Sequence, residues 1–400
     1  MDAAALPAAA QLARSGAPNP RAAIERYVQA RFGAGARVVD VSGLDGDAGD
    51  KAFGYGRPVR VLLEGAEVGP IVLHVARGGG FGHDTLADTA ALSLLAWQSY
   101  GSIPRHVRAI DVGAVERDGT LRSLADARDF FFVTEWAEGR PYFHDLDEIA
   151  VRGATSPRDE RRLALLTENL AAIHALRRDD REAYVRRTRD LFGDHECLPG
   201  LLDSFDAPEG QRVVPAARLI DIERRAVPWR WRLKERAHRL ARVHGDYHPW
   251  NILFSSPPRP TGDALTLLDA SRGLFGEPAD DLAALSINFL FWAVRTRGAL
   301  VGPFAGLWTR FFDDYLARTG DEEVLEVIPP YLVWRALVVS SPVWYPHYST
   351  VGVPPELRAD LDVRVRATLF RFIDRVLALD RLEPARAGAL LAEPTSEVAP

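Results

Sequence analysis

The segment HGDYHPWNILF, residues 244–254, concentrates polar side chains in an apolar setting. Within it, His244, Asp246 and Asn251 follow the spacing H-x-D-x-x-x-x-N, and Asp269 comes 23 positions after Asp246, at the end of an apolar run. Phosphoryl transfer from a nucleotide needs such a set, because one Asp orients the acceptor hydroxyl and takes its proton, while an Asn and a second Asp hold magnesium against the phosphates. Mg²⁺ prefers hard oxygen ligands of this kind. The spacing therefore predicts a magnesium-dependent phosphoryl-transfer site.

Two further motifs follow in order: LLDASRG at residues 267–273 and GEPADDLA at residues 276–283. Together with HGDYHPWNILF they resemble the aminoglycoside phosphotransferase and choline kinase family, a branch of the protein-kinase-like fold. The resemblance covers roughly residues 35–380 and is sharp only between 242 and 283. Three motifs in order at compatible spacing are a much more specific signal than any one of them alone.

The resemblance implies a role for each matching position. Asp246 is expected to be the catalytic base, and Asn251 and Asp269 are expected to be the magnesium ligands. Asp281 would brace the catalytic loop, and His244 would hold that loop from behind. The implied reaction moves the γ-phosphoryl group of ATP to a hydroxyl of a small molecule, and no motif selects against GTP as the donor.

The resemblance also implies a nucleotide side. The segment FFVTEWAEG, residues 131–139, would be the hinge between two lobes, where the carbonyl of Glu135 and the amide of Ala137 meet the adenine. Asp88 lies where the family places the helix acid that pairs with a strand lysine.

The chain departs from the family on the third N-lobe strand, where His74 replaces the expected Lys or Arg. A neutral imidazole is a poor partner for phosphate oxygens, although an anionic neighbour such as Asp88 would keep it protonated. Arg77 or Lys51 would otherwise supply the charge. Lys51 lies in the Gly- and Asp-rich stretch of residues 43–56, where the phosphate-covering loop is expected.

Other interpretations stay open at this point. The replacement at His74 favours a catalytically impaired kinase-fold protein that binds nucleotide or ligand, although the intact catalytic set argues against it. A kinase-fold nucleotidyltransferase would use the same metal ligands. His244, Asp246 and His248 alternate as zinc ligands can, but a zinc site needs a further ligand. Taken alone, Asp246 would be a turn or cap residue, and Asp88 an acid that favours a helix N-terminus.

The surrounding pattern predicts an α+β fold of two lobes: a small N-lobe with an antiparallel sheet and one main helix, and a larger, mostly helical C-lobe. The expected strands are 36–44, 57–63, 69–77 and 130–136, with a strand island at 251–254 and 264–268, and the expected helices are 84–100, 158–177, 283–297 and 361–379. The expected divisions are a disordered arm at 1–20, the N-lobe at 21–136, the C-lobe at 137–383 and a disordered tail at 384–400.

Composition narrows the class of protein. A net charge of −6 does not give the electrostatic footprint of a nucleic-acid binder. One cysteine allows no intramolecular disulfide and fits a reducing compartment. The longest apolar stretch, residues 282–294, is shorter than the ~20 residues that a membrane span needs. We therefore expect a cytoplasmic enzyme whose partner is a small hydroxylated acceptor, with neither nucleic acid nor membrane as a partner.

Overall fold

The computed structural model describes residues 19–43, 58–75, 83–207, 213–255, 263–270, 272–343 and 355–393. The chain divides into two compact units, Met1–Thr134 and Glu135–Pro400. Each unit has its own hydrophobic core.

The first unit combines helices with short antiparallel sheets. Its helices are α1 (Pro20–Phe32) and α2 (Leu86–Ser99), with a 3₁₀ helix at Tyr100–Ser102. Its strands are β1 (Arg37–Gly43), β2 (Val59–Glu64), β3 (Ile71–Leu73), β4 (Gly113–Val115) and β5 (Leu121–Ser123). Strands β1, β2 and β3 form one antiparallel sheet in that order, and β4 pairs with β5.

The core of this unit lies between α1 and the larger sheet. In β2 the side chains alternate, so that Val61 and Leu63 are buried while Arg60 and Glu64 are exposed. Val61 and Leu63 pack with Ile24 and Val28 of α1. Asn19 caps that helix by accepting the backbone N–H of Ala22 at 3.1 Å.

The second unit is mostly helical. Its helices are α3 (Phe143–Arg152), α4 (Pro157–His174), α5 (Arg181–Gly193), α6 (Leu198–Asp203), α7 (Ala216–Ala226), α8 (Trp229–Lys234), α9 (Pro278–Arg297), α10 (Pro303–Thr319), α11 (Val324–Val327), α12 (Pro329–Ser340) and α13 (Pro355–Val376), with 3₁₀ helices at Ala237–Arg239 and Pro384–Leu390. Its strands are β6 (Arg140–Pro141), β7 (Ala241–Arg242), β8 (Ile252–Phe254), β9 (Leu265–Leu267) and β10 (Phe275–Gly276). Strand β8 lies between β6 and β9, and β7 pairs with β10, all antiparallel.

Helix α9 is the centre of the second unit. Every residue from 278 to 295 is buried, and the helix packs against α3, α10, α12 and α13. A helix that is apolar on all sides is stable in water only when neighbours surround it. Its first turn nevertheless carries Asp280 and Asp281, both buried, so these two carboxylates must find partners inside the protein.

Most of the expected elements are confirmed. Helices α2, α4, α9 and α13 and strands β1, β2, β8 and β9 lie where the pattern predicts them, and the α+β class is confirmed. The third expected strand is shorter than predicted, because β3 covers only Ile71–Leu73. No helix in the described part of the chain is long and apolar enough to cross a membrane.

Two expectations are wrong. The apolar run at 130–136 forms no strand: residues 127–139 have no regular secondary structure, and Phe131 is 91% exposed. Aromatic and β-branched residues favour strands only where a second strand pairs with them. The expected disordered tail is wrong for residues 384–393, because Ala387 and Leu391 are buried and the Trp308 indole donates to the Pro384 carbonyl at 3.0 Å. Residues 1–18 and 394–400 lie outside the described residues.

Candidate active site

Short strands position the loop that carries the first motif. Residues 243–251 connect β7 to β8, and β8 pairs with β9 so that Ile252 lies opposite Leu267. One step further along this ladder, the backbone N–H of Leu268 donates to the Asn251 carbonyl at 2.8 Å. Asn251 directly precedes β8, and Asp269 lies two residues after β9. Because these two strands pair, the predicted metal ligands Asn251 and Asp269 lie at the same end of the sheet.

The Asp246 carboxylate is held at both oxygens. Arg335 donates from Nη1 to Oδ1 at 2.7 Å. The amide nitrogen of Asn251 donates to Oδ2 at 3.3 Å and to the Asp246 carbonyl at 3.1 Å, and Nε2 of His248 lies 3.3 Å from Oδ2. The side chain remains 17% exposed, so it is held in place and still reaches solvent.

The charge of Asp246 is set by these neighbours. Burial by itself would raise the pKa of this carboxyl, but the hydrogen bond with His248 and the positive charge of Arg335 outweigh it. The pKa of Asp246 therefore lies well below its ordinary value. At neutral pH the group is an ionised hydrogen-bond acceptor.

Asp281 holds the backbone of the loop. Its two carboxylate oxygens accept the N–H groups of His244 at 2.8 Å and Gly245 at 2.7 Å. Nε2 of His174 lies 3.1 Å from the same carboxylate, and Tyr315 in turn contacts Nδ1 of His174 at 2.8 Å. Burial would raise the pKa of Asp281, but the bonds with His174 and with the loop lower it. A fully buried anion thus connects the start of α9 to the loop.

His244 is part of the loop and contacts other residues of it. Its Nδ1 accepts the backbone N–H of Asp246 at 3.2 Å, and its ring meets that of Tyr247 edge-on. Its Nε2 is buried and has no hydrogen-bond partner among the described residues. Across that same part of the chain, no group of three His, Cys, Asp or Glu side chains could hold a metal ion, so the geometry gives the zinc interpretation no support.

Asp269 has an unusual backbone. Its φ of +51° lies in the left-handed region, which among the described non-glycine residues only Arg105 shares. This conformation costs on the order of 1 kcal/mol for a residue with a Cβ and persists only where the surrounding structure fixes it. The Asp269 side chain is exposed at the end of the sheet.

Sequence reasoning missed Arg335, in α12. This arginine is 4% exposed and contacts Asp246, Asp280 and the Gly245 carbonyl. A signal was present, because one arginine interrupts the apolar run YLVWRALVV at 331–339, and a buried charge must be paired. The sequence pattern does not identify the acidic residue that pairs with Arg335.

The predicted nucleotide-side residues lie in varied settings. His74 is exposed just after β3, Glu135 is exposed and Ala137 is half-buried. Asp88 belongs to a capping box at the start of α2: its Oδ2 accepts the N–H of Thr85 at 2.8 Å, and Thr85 accepts that of Asp88. Lys51 and Arg77 lie outside the described residues.

Solved structures of several small-molecule kinases are similar to the chain. An ethanolamine kinase of Plasmodium vivax is 13% identical, with 82% of this chain and 81% of that one covered and a TM-score of 0.37. A glucosamine kinase is 15% identical, with coverage of 91% and 100% and a TM-score of 0.39. A spectinomycin phosphotransferase, solved with ADP and spectinomycin, is 11% identical, with coverage of 92% and 96% and a TM-score of 0.29.

No curated protein matches the chain. The sequence profile of the phosphotransferase enzyme family (APH) matches residues 54–320, which is more than half of the chain and includes all three motifs. The expected family resemblance and the two-lobed, α+β protein-kinase-like fold are thereby confirmed. The chain belongs to the phosphotransferase enzyme family.

Proposed function

We propose that this protein transfers the γ-phosphoryl group of ATP to a hydroxyl of a small molecule, with Mg²⁺ as the cofactor and Asp246 as the base. The observation that carries the proposal is the state of Asp246. Its carboxylate is ionised, fixed by Arg335 and Asn251, and still 17% exposed. A group that receives a hydroxyl proton needs each of these properties.

The chemistry is an in-line displacement at the γ-phosphorus. The acceptor oxygen forms a bond to phosphorus while the bond to the β,γ-bridging oxygen breaks, and ADP leaves with that electron pair. The hydroxyl proton passes to the Asp246 carboxylate. Asp246 also orients the hydroxyl, because a carboxylate can accept more hydrogen bonds than the described neighbours supply.

Asn251 and Asp269 fit a magnesium ion. The amide nitrogen of Asn251 faces Asp246, which leaves the amide oxygen on the other branch of the side chain. Asp269 adds a carboxylate from a backbone held in the left-handed region. Both are hard oxygen ligands. When bound, the metal would neutralise charge on the phosphates.

Further donor-site roles belong to the same proposal and rest on the motif resemblance. The adenine would meet the backbone of Glu135 and Ala137, and the phosphates would meet a cation supplied by His74, Arg77 or Lys51, with Asp88 as the helix acid. Asp281 and His244 hold the loop. The proposed phosphoryl donor is ATP, and GTP is the alternative donor whose binding should be measured in parallel.

One observation favours a second candidate, a kinase-fold protein that binds nucleotide or another ligand and transfers no phosphate. By the motif resemblance His74 replaces the basic strand residue, and it is exposed just after β3. A chain without a cation for the triphosphate would hold its donor poorly. Phosphate transfer to an acceptor separates the first candidate from this one, and Mg·ATP binding shows whether this candidate would hold a nucleotide or another ligand.

The substitution Asp246→Asn tests the proposal. The variant keeps the shape of the side chain and should still bind Mg·ATP, while turnover falls by about 10²–10⁴-fold because the base is lost. Turnover is measured as ADP formation, and transfer as new phosphate esters by phosphorus NMR, with pooled amino alcohols, amino sugars and sugars as acceptors. Asp380→Asn, at a carboxylate that is 96% exposed, is the control. Unchanged turnover in Asp246→Asn would exclude Asp246 as the base.

A further inference from the structure

We propose that Arg335 is a positioning residue for phosphoryl transfer, which fixes one oxygen of Asp246 and leaves the other to receive the acceptor hydroxyl. The proposal rests on the proposed function, since it assigns Arg335 a task that acts through Asp246. Arg335 lies on α12, outside all three motifs.

The guanidinium group of Arg335 makes four hydrogen bonds, which join the catalytic loop to α9. It donates to Oδ1 of Asp246 at 2.7 Å, to the Gly245 carbonyl at 2.9 Å and, through Nε and Nη2, to Oδ1 of Asp280 at 3.2 and 2.6 Å. A planar guanidinium fixes direction as well as distance. These contacts tie two consecutive residues of the loop to the first turn of α9.

The guanidinium of Arg335 also lies over an aromatic ring. Its central carbon lies 4.0 Å from the centre of the Trp334 ring, and Trp334 is itself 2% exposed. The guanidinium of Arg272 lies 4.5 Å from the centre of the same ring. Arg335 is therefore held by stacking as well as by its acceptors.

The two oxygens of Asp246 consequently differ. Oδ1 receives a short, charge-assisted bond from Arg335, whereas Oδ2 has contacts of 3.3 Å with Asn251 and with His248. Longer hydrogen bonds are weaker. Replacing one of the Oδ2 contacts by a hydrogen bond from the acceptor hydroxyl therefore costs less free energy than replacing the bond between Oδ1 and Arg335. Arg335 thus selects Oδ2 as the oxygen that faces the acceptor.

Arg335 also works together with Asp281. Asp281 accepts the N–H groups of His244 and Gly245, while Arg335 donates to the carbonyl of Gly245. Asp281 thus binds backbone N–H groups of the loop directly, while the neighbouring Asp280 binds Arg335, which in turn donates to a backbone carbonyl of the loop. A lysine could not replace Arg335, because one ammonium lacks the rigid fork that meets acceptors on both the loop and α9.

The test compares Arg335→Met and Arg335→Lys with the wild type, using ADP formation from Mg·ATP with water as the acceptor. A misplaced base should lower kcat by about 100-fold and leave KM for ATP within about twofold. Arg335→Lys should recover only part of the loss. In the Asp246→Asn background, Arg335→Met should lower kcat no further, because the two residues act as a unit.

Arg239→Met is the matched control. Arg239 is 2% exposed and donates to Glu277 and Asp321 at 2.6–3.0 Å and to Glu323 at 3.3 Å, so it is a buried arginine bonded to carboxylates, as Arg335 is. Removing either arginine leaves buried carboxylates without their partner and should lower the urea midpoint of unfolding in both variants. Only Arg335→Met should lower kcat and speed amide hydrogen exchange in residues 243–252.

Two results would overturn the proposal: equal kcat and equal exchange in the two Met variants, or a raised KM for ATP with unchanged kcat. The second result would make Arg335 a nucleotide-binding residue. If the wild type forms ADP neither with water nor with the pooled hydroxylated acceptors, the proposed function fails instead. The exchange of residues 243–252 still decides whether Arg335 positions the loop.

Discussion

The carboxylate of Asp281 accepts the backbone N–H of Gly245, the residue directly before Asp246, at 2.7 Å. This bond joins the first turn of α9, the central helix of the second unit, to the loop that carries the proposed base. The position of Asp246 therefore depends on the packing of α9 as well as on its own contacts.

Replacing Asp281 tests this dependence. Asp281→Asn removes a buried anion that bonds His174 and two backbone N–H groups, and it turns an amide nitrogen toward donors. We expect the free energy of unfolding to fall by about 2–3 kcal/mol, because buried donors lose their acceptor. Urea denaturation measures the loss, with Asp380→Asn as the surface control. A loss equal to that of the control would contradict the role given to Asp281.

Alanine substitutions at Gly245 and Gly298 distinguish backbone strain from steric overlap, the two costs of adding a methyl group. Both have positive φ, +83° and +71°, so an alanine at either position costs about 1 kcal/mol of backbone strain. A Cβ at Gly298 would meet nothing within 4 Å, whereas one at Gly245 would lie 3.0 Å from the Cβ of Arg272. Gly245→Ala should therefore destabilise the protein by about 1–3 kcal/mol more than Gly298→Ala. Equal losses in thermal or urea unfolding would show that the loop tolerates the added carbon.

The lowered pKa of Glu323 predicts part of the pH dependence of the free energy of unfolding. Burial would raise its pKa, but hydrogen bonds from His238, at 2.7 Å, and Arg236 outweigh it and lower the pKa to about 2. Because the folded pKa lies below the unfolded value of 4.5, the contribution is present above about pH 5 and is lost as the pH falls toward 2. Glu323→Gln should flatten this part of the curve, measured by urea denaturation between pH 3 and 7. An unchanged slope would exclude Glu323 as its source.

Cys197 should be inert in the folded protein. It is 6% exposed, and burial raises the pKa of its thiol to about 12, despite the nearby charge of Arg272. Only the thiolate reacts, so labelling with a disulfide reagent at pH 8 should be slow in the native state and reach one equivalent on unfolding. Complete native labelling within minutes would contradict the burial of this thiol.

The sequence was informative where chemistry depends on local spacing. Asp246, Asn251 and Asp281 lie within short motifs, and the structure brings them together in one loop and one helix start. The long helices were predictable as well, because their apolar periodicity extends over many residues.

The sequence was uninformative where the outcome depends on distant partners. Arg335 is 89 residues from Asp246, and no local pattern names its acceptors. The run at 130–136 has strand-forming residues, but it forms no strand. The chain after Glu383 is dominated by Ala, Pro and Glu, yet Ala387 and Leu391 are buried.

Calorimetry of Mg·ATP binding to the wild type and to Asp269→Ala tests the central claim most directly. The proposed function predicts binding that requires magnesium and is lost or strongly weakened in Asp269→Ala, with Asp380→Ala unchanged. No binding by the wild type at millimolar ATP, or equal binding by Asp269→Ala, would contradict the assignment of Asp269 and of the donor site.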